Sequence, residues 1–227
     1  MEEKICVLDI DFDNYTAKQA MKKSVEFMKS EMLRVIELLS IDMLLYSKER
    51  EEICDVISGI DMMLPGQKEI LEAAEVYDRK MLQEINEHLY LKLFLRYLHK
   101  NHCRTYLVAE CEEKRKELEH YLKTKYRGVQ IVGTSVSDGN SEEDDLLVNK
   151  INGCEADCII AALSTPCRQK LVLRNKRRIN SRIWIGVGNL MEGMYKEQKR
   201  HTRVLSYLKR IFVKREIKKS KKENLAG

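Results

Sequence analysis

The stretch CIIAALSTPCRQKLVLRNKRRINSRIWIGV, residues 158–187, places a basic polar segment between two apolar runs. The first run, residues 158–163, has the length and β-branched content of a buried strand. Pro166 follows it at a position typical of a first helical turn, where the missing N–H costs nothing. The second run, residues 182–187, is a further strand, which Gly188 ends. Two strands joined by a helix of this length predict a parallel sheet.

The same alternation extends over the rest of the chain. The predicted strands are residues 5–10, 61–64, 105–109, 128–132, 158–163 and 182–187. The predicted helices are one that begins at the capping box Thr16-x-x-Gln19, then residues 43–56, 67–77, 81–100, 112–125, 144–151 after a cap at Ser141, and 167–179. No element is assigned to residues 33–39. Because helices connect the strands, we expect an α/β protein whose parallel sheet is covered by helices on both faces.

Composition narrows the class of protein further. The 227 residues are 44% hydrophobic and include only 10 glycines and 2 prolines, which excludes a disordered chain and favours helices with short loops. The seven cysteines lack the two-residue spacing of zinc or redox motifs, so we expect reduced thiols and no metal. No signal peptide and no apolar run of about 18 residues is present. A cytoplasmic protein with at most peripheral membrane contact is expected.

Positive charge is concentrated near the C-terminus. The chain has 41 Lys and Arg against 36 Asp and Glu, yet residues 199–222 hold eleven Lys or Arg and one acid. We therefore divide the chain into a body over residues 1–194, a basic amphipathic appendage over 195–217 and a tail over 218–227 expected to be disordered. The charge indicates a polyanionic partner such as phosphate or an anionic membrane surface, or else a solvated helix face. Binding to nucleic acid is not expected, because the sequence has no helix-turn-helix, RRM or KH signature.

Several segments resemble landmarks of the WecG/TagA/CpsF glycosyltransferase family, in the same order along nearly the whole chain. They are Leu8-Asp9-Ile10-Asp11-Phe12-Asp13-Asn14-Tyr15-Thr16, Asp61-Met62-Met63-Leu64-Pro65-Gly66, Gly128-Val129-Gln130-Ile131-Val132-Gly133-Thr134, Leu163-Ser164-Thr165-Pro166 and Ile185-Gly186-Val187-Gly188. The resemblance implies a Rossmann-like fold and transfer of an N-acetylhexosamine from a UDP-sugar donor to a polyprenyl-diphosphate-linked acceptor. It also implies inversion at the anomeric carbon, no metal and no other cofactor, and a cationic C-terminal appendage that binds the donor and docks on the membrane.

The resemblance carries substrate-binding roles to positions in the loops and in the appendage. These positions are Ser40, Gly133, Thr134, Pro166, Arg168, Gly186, Gly188, Glu192, Arg200 and Arg215. Among them, Arg168, Arg200 and Arg215 are expected to hold the donor diphosphate, and Glu192 to orient the sugar or the uracil. In an α/β sheet the loops at the carboxyl ends of the strands form the ligand crevice, which agrees with this assignment.

Two departures from the family pattern concern catalysis. The family carries a proposed catalytic Asp between Pro and Gly, whereas here Gly66 follows Pro65 directly. Asp61 and Asp11 are the expected stand-in bases, since an inverting transfer needs a base near the proton removed. The second departure is Glu110-Cys111, where the family has Gly-Gly next to phosphate.

Two functional interpretations stay open. One is an active glycosyltransferase with a rebuilt site. The other is an inactive family member that serves as a binding or assembly partner in a cell-envelope polysaccharide pathway. Self-association or pairing with another glycosyltransferase fits either interpretation.

Overall fold

A computed structural model of the protein describes residues 4–49 and 57–195. Its centre is a six-stranded sheet in which every neighbouring pair is parallel. The strands are β3 (Arg34–Leu39), β4 (Met62–Pro65), β5 (Arg104–Ala109), β6 (Gln130–Val136), β7 (Cys158–Ala162) and β8 (Ile183–Gly186). Their order across the sheet is β4-β3-β8-β7-β5-β6. The predicted α/β, Rossmann-like fold is confirmed.

Helices cover both faces of this sheet. They are α1 (Ala17–Phe27), α2 (Ile41–Glu49), α3 (Lys68–Ala73), α4 (Arg79–Asn86), α5 (Leu89–Lys100), α6 (Glu112–Lys125), α7 (Asp144–Gly153), α8 (Cys167–Asn175) and α9 (Leu190–Tyr195). One face packs against apolar side chains of α1, α5, α6 and α9, and the other against α7 and α8. All five residues of β7 are buried, because this strand lies inside the sheet with helices above and below it.

The N-terminal strand was predicted wrongly. Residues 5–10 do not form one strand of the sheet. They span most of β1 (Lys4–Val7), a two-residue turn and the start of β2 (Ile10–Asp13) in a separate antiparallel hairpin. Leu8 and Asp9 both have positive φ, 48° and 62°, as the type I′ turn of a two-residue hairpin requires. The hairpin packs beside β4, where the Met63 N–H donates to the Asp13 carboxylate over 2.8 Å.

The remaining differences concern where elements begin and end. The unassigned residues 33–39 contain β3, a strand of the sheet. The single helix predicted over residues 81–100 is two helices, separated at His88, which has φ 51°. The predicted strand over residues 128–132 extends to Val136. The capping box is confirmed, since the Thr16 side chain accepts from the Gln19 N–H and the Gln19 side chain accepts from the Thr16 N–H.

The C-terminal predictions lie outside the described residues. The helix α9 ends at Tyr195, so the basic appendage over residues 195–217 and the tail over 218–227 follow the last described position. Within the part of the chain that the structure describes, no helix combines the length and the apolar character needed to cross a bilayer.

Candidate functional site

The parallel strands place all their carboxyl ends at one edge of the sheet, and an apolar crevice opens there beside β3 and β4. Its volume is about 40 Å³, enough for a few water molecules. The lining residues are Tyr15, Ala17, Ala20, Leu38, Leu64, Pro65, Gly66, Met81, Glu84, Ile85, His88, Leu89, Tyr90, Leu91 and Leu190. The crevice therefore lies where the sequence predicts ligands.

The turn after β4 forms one wall of the crevice. The Gly66 N–H donates to the Leu39 carbonyl over 2.9 Å, which fixes the turn against the end of β3. A side chain at position 66 would collide with Leu190, and its Cβ would lie 2.9 Å from the Leu39 oxygen. The turn itself brings no carboxylate to the crevice, as the sequence predicts from the direct Pro65-Gly66 junction.

A carboxylate and an imidazole of the crevice come instead from the end of α4 and the break that follows it. The Glu84 carboxylate accepts from the Ala17 N–H at the start of α1, over 2.8 Å. His88, one turn later, lines the same crevice from its left-handed position between α4 and α5. Sequence reasoning missed both residues, because a continuous helix over residues 81–100 places no break and no site at this point.

The rim between β5 and β7 is filled by side chains. The Glu110 carboxylate follows β5 and accepts from both the hydroxyl and the backbone N–H of Ser164, the latter over 3.1 Å. The Lys114 ammonium lies 2.5 Å from the other Glu110 oxygen. Burial opposes ionisation of Glu110, but the hydrogen bonds from Lys114 and Ser164 outweigh it, and the pKa of Glu110 is lowered. Glu110 is therefore an anion held in the rim.

Lys114 connects this carboxylate to the start of α9. Its ammonium lies 2.9 Å from the Glu192 carboxylate and donates to the Asn189 side-chain oxygen over 2.7 Å. Partial burial alone lowers the pKa of Lys114, yet the two glutamates raise it overall. Glu192, which the resemblance assigns to the donor sugar or base, is thus already paired with a cation of this protein. We call Glu110, Lys114, Ser164, Asn189 and Glu192 the rim network.

Arg168 lies beneath this edge rather than on it. Its side chain is 2% exposed and forms a 2.9 Å ion pair with Glu37 of β3, whose side chain is 0% exposed. The guanidinium also donates to the Leu163 carbonyl over 2.7 Å, and Gln169 donates to the same carboxylate over 3.3 Å. Burial raises the pKa of Glu37, and Arg168 opposes that effect only in part. The role of Arg168 in holding the donor diphosphate stays a prediction, and in this structure the guanidinium forms a buried ion pair with Glu37.

Two of the predicted glycines border that ion pair. Gly186 lies opposite Glu37 in the register of β8 and β3, and a Cβ at position 186 would overlap the Glu37 carboxylate. Gly188 has φ 50° and lies against the Arg168 guanidinium, where a Cβ would also collide. The absence of side chains at both positions therefore makes room for charged groups of the protein itself.

The two expected stand-in bases are far from the crevice. Asp61 precedes β4, at the amino edge of the sheet, and pairs with Arg34 at 2.9 Å and Lys176 at 2.6 Å. Burial opposes ionisation of Asp61, but hydrogen bonds from Lys176, the Val35 N–H and Arg34 outweigh it and lower its pKa. Asp11 is an exposed residue of the hairpin and lines a groove with Asp61. That either residue replaces the missing base stays a prediction, and in this structure both line a groove other than the crevice.

The other predicted residues are spread over the sheet. Ser40 follows β3 and its hydroxyl accepts from the Met43 N–H over 3.3 Å, at the start of α2. Pro166 precedes α8 at the rim. Gly133 and Thr134 lie within β6 instead of after it, with Gly133 against the Tyr106 ring and the Thr134 hydroxyl accepting from Arg115. Arg200 and Arg215 lie outside the described residues.

No resident metal centre is evident in the described part of the chain. Residues 4–49 and 57–195 contain no group of three or more His, Cys, Asp or Glu side chains arranged to hold an ion. The cysteines in these ranges are free thiols. Glu84, His88 and the rim network supply acid–base and electrostatic groups at this edge.

Comparison with known proteins agrees with this architecture. The chain is 18% identical over 192 residues to the N-acetylglucosaminyldiphosphoundecaprenol N-acetyl-beta-D-mannosaminyltransferase of Staphylococcus aureus (strain MRSA252). The alignment covers 83% of this chain and 74% of that enzyme. The model of the glycosyl transferase WecG/TagA/CpsF family matches residues 5–218. The family model covers nearly the whole length of the chain, including the parallel sheet and the crevice at its carboxyl edge. The chain therefore belongs to the WecG/TagA/CpsF family of glycosyl transferases.

Proposed function

We propose that the protein transfers an N-acetylhexosamine from a UDP-sugar to a polyprenyl-diphosphate-linked acceptor in cell-envelope polysaccharide biosynthesis. Family membership and the name of the staphylococcal relative support the reaction class. The observation that carries the proposal is the crevice after β3 and β4, which brings a carboxylate and an imidazole next to the Pro65-Gly66 turn. A glycosyl transfer to a hydroxyl needs such a group to take the proton.

In this proposal, different parts of the substrates bind at different places along the edge. The reacting hydroxyl of the acceptor would enter the crevice, next to Glu84 and His88. The donor diphosphate would lie over the rim, where Lys114 and the Ser164 N–H are the hydrogen-bond donors. Since Glu110 now occupies both of them, it must turn away before the diphosphate binds.

The reaction itself is a single displacement. The acceptor oxygen attacks the anomeric carbon, the bond from that carbon to the UDP oxygen breaks, and UDP leaves with the electron pair. The acceptor proton passes to a base of the protein, and the anomeric configuration inverts. No redox step and no metal-bound group is part of this scheme.

A second candidate function is a catalytically inactive partner in the same pathway. The rim network favours it, because a carboxylate occupies hydrogen-bond donors that a phosphate would otherwise use, and like charges repel. In this case the protein would associate with another glycosyltransferase or with a second copy of itself. Peripheral attachment to an anionic membrane through residues 199–222 is a related proposal, supported by their eleven basic residues.

Turnover and binding separate the two candidates. Purified protein is mixed with UDP-N-acetylglucosamine or UDP-N-acetylmannosamine and a short-chain polyprenyl-diphosphate N-acetylglucosamine, and released UDP is measured. Release that depends on both substrates supports the enzyme. In parallel, UDP at about 100 times its dissociation constant would raise the free energy of unfolding by about 2.7 kcal/mol. If UDP is not released and UDP does not stabilise the protein, and a second glycosyltransferase co-purifies with it, the inactive partner is supported.

A further inference from the structure

The wall of the crevice formed by α4 differs from the others in its chemistry. The sheet contributes Leu38, Leu64 and Pro65, which have no titratable groups, whereas α4 contributes Glu84. Within residues 4–49 and 57–195, Glu84 supplies the one carboxylate that lines this crevice. A lone carboxylate in an apolar, partly enclosed space next to the edge of a parallel sheet is placed for proton transfer.

Glu84 is held firmly at this place through one of its two oxygens. Oε2 accepts from the Ala17 N–H over 2.8 Å, and Ala17 is the first residue of α1, directly after the Thr16 cap. The N-terminal N–H groups of a helix lack partners within the helix, so this bond satisfies one of them. No other hydrogen bond of the carboxylate joins it to the described residues, which leaves Oε1 able to accept a proton.

We propose that Glu84 is the catalytic base of the transfer, an inference that rests on the proposed function. Oε1 accepts the proton of the acceptor hydroxyl as its oxygen bonds to the anomeric carbon, and UDP departs from the opposite side. Glu84 becomes a neutral carboxylic acid and returns its proton to water after the product leaves. The Ala17 N–H keeps the carboxylate oriented throughout.

The first test is Glu84→Gln in the full-length protein. The side-chain oxygen of glutamine still accepts from Ala17, so the melting temperature should stay the same, while the ability to accept a proton is lost. We expect kcat for UDP release to fall by about 10²–10⁴-fold, and KM for donor and acceptor to change by no more than about twofold. A helix-capping role alone would leave kcat unchanged.

The matched control is Glu87→Gln, one residue past the end of the same helix. Glu87 is exposed and accepts from Gln83 over 2.8 Å, without lining the crevice. The kcat of the Glu87→Gln variant should equal that of the unaltered protein. If Glu87→Gln lowers kcat as much as Glu84→Gln, or if Glu84→Gln keeps full kcat, the assignment is overturned.

Chemical rescue provides a readout that a structural role cannot produce. In Glu84→Ala the carboxylate is removed, and added formate should restore part of kcat by accepting the proton in its place. His88→Asn tests the imidazole that lines the crevice. Loss of turnover in this variant combined with full turnover in Glu84→Gln would transfer the role to His88. If the unaltered protein releases no UDP but a second glycosyltransferase still co-purifies with it, the proposed function fails. The assignment of Glu84 as the base then fails with it.

Discussion

The Glu110 carboxylate accepts the Ser164 backbone N–H over 3.1 Å, and this bond joins the loops after the neighbouring strands β5 and β7. Backbone N–H groups at such a position are ordinarily well suited to bind a phosphate oxygen. In this protein a carboxylate of the chain takes that place, and Lys114 neutralises part of its charge.

The first prediction is that Glu110→Gln strengthens binding of UDP. The substitution removes the negative charge beside the Ser164 N–H, and a hydrogen bond to a charged group is worth about 1.5–3 kcal/mol, so we expect at least about a tenfold lower dissociation constant. Isothermal titration calorimetry with UDP measures it. Glu113→Gln, in the same first turn of α6 but outside the rim network, is the control. An unchanged or weaker affinity in Glu110→Gln would contradict the prediction.

The second prediction concerns the buried pair of Arg168 and Glu37. Arg168→Met removes the cation and leaves the Glu37 carboxylate buried without its charge partner, which should cost about 3–5 kcal/mol of unfolding free energy. Urea titration followed by circular dichroism gives this value. The double variant Glu37→Gln with Arg168→Met should be more stable than Arg168→Met alone, because the unpaired charge is gone. Equal stability of the two variants would show that the ion pair does not act as described.

The third prediction uses the space occupied by that carboxylate. Gly186→Ala places a methyl group on Glu37 inside the sheet and should lower the unfolding free energy by about 1–3 kcal/mol. Gly153→Ala is a matched control at the end of α7, where a methyl group meets nothing within 4 Å. Alanine there should be neutral or stabilising by up to about 1 kcal/mol. Thermal melts of both variants measure these effects. A Gly186→Ala variant as stable as the unaltered protein would count against the packing of Gly186 against Glu37.

The fourth prediction concerns pH. The pKa of Asp61 is lowered from its ordinary value of 3.8, so the ionised form contributes stability above that value and loses it as pH falls through the lower, folded-state pKa. Asp61→Asn should therefore cost about 2 kcal/mol at neutral pH, where Arg34 and Lys176 lose their partner, and progressively less below about pH 4. Urea midpoints measured across this range test it. A cost that does not vary with pH would contradict the role of the charge.

Local sequence patterns were sufficient to predict the positions of most helices and strands. The helix over residues 112–125 was predicted with the bounds that the structure has, and the run over residues 158–163 includes all of β7, because both are decided by neighbours in sequence. The strand β3 was missed since Glu37 interrupts its apolar run. The partner that makes this acid tolerable, Arg168, lies 131 residues later, and only the folded sheet brings the two together.

The site was harder to predict than the fold for the same reason. Asp61 matched the family landmark in sequence, but a four-residue strand separates it from the carboxyl edge where Pro65 lies. Glu84 carries no motif, and its position depends on the break at His88 and on a contact with Ala17, 67 residues earlier. A site assembled from two distant segments, one around Ala17 and one over residues 84–88, leaves no local spacing to detect.

The strand order has a consequence for the newly made chain. Among the described strands, β8 comes last in the chain and inserts between β3 and β7. The earlier pair β3-β4 and the later group β5-β6-β7 therefore share no strand-to-strand hydrogen bonds until residue 186 has emerged. Translation that stops before residue 183 would release two half-sheets with open edges, which is the state in which nascent proteins aggregate. Closure of the central sheet thus waits for the last of the described strands.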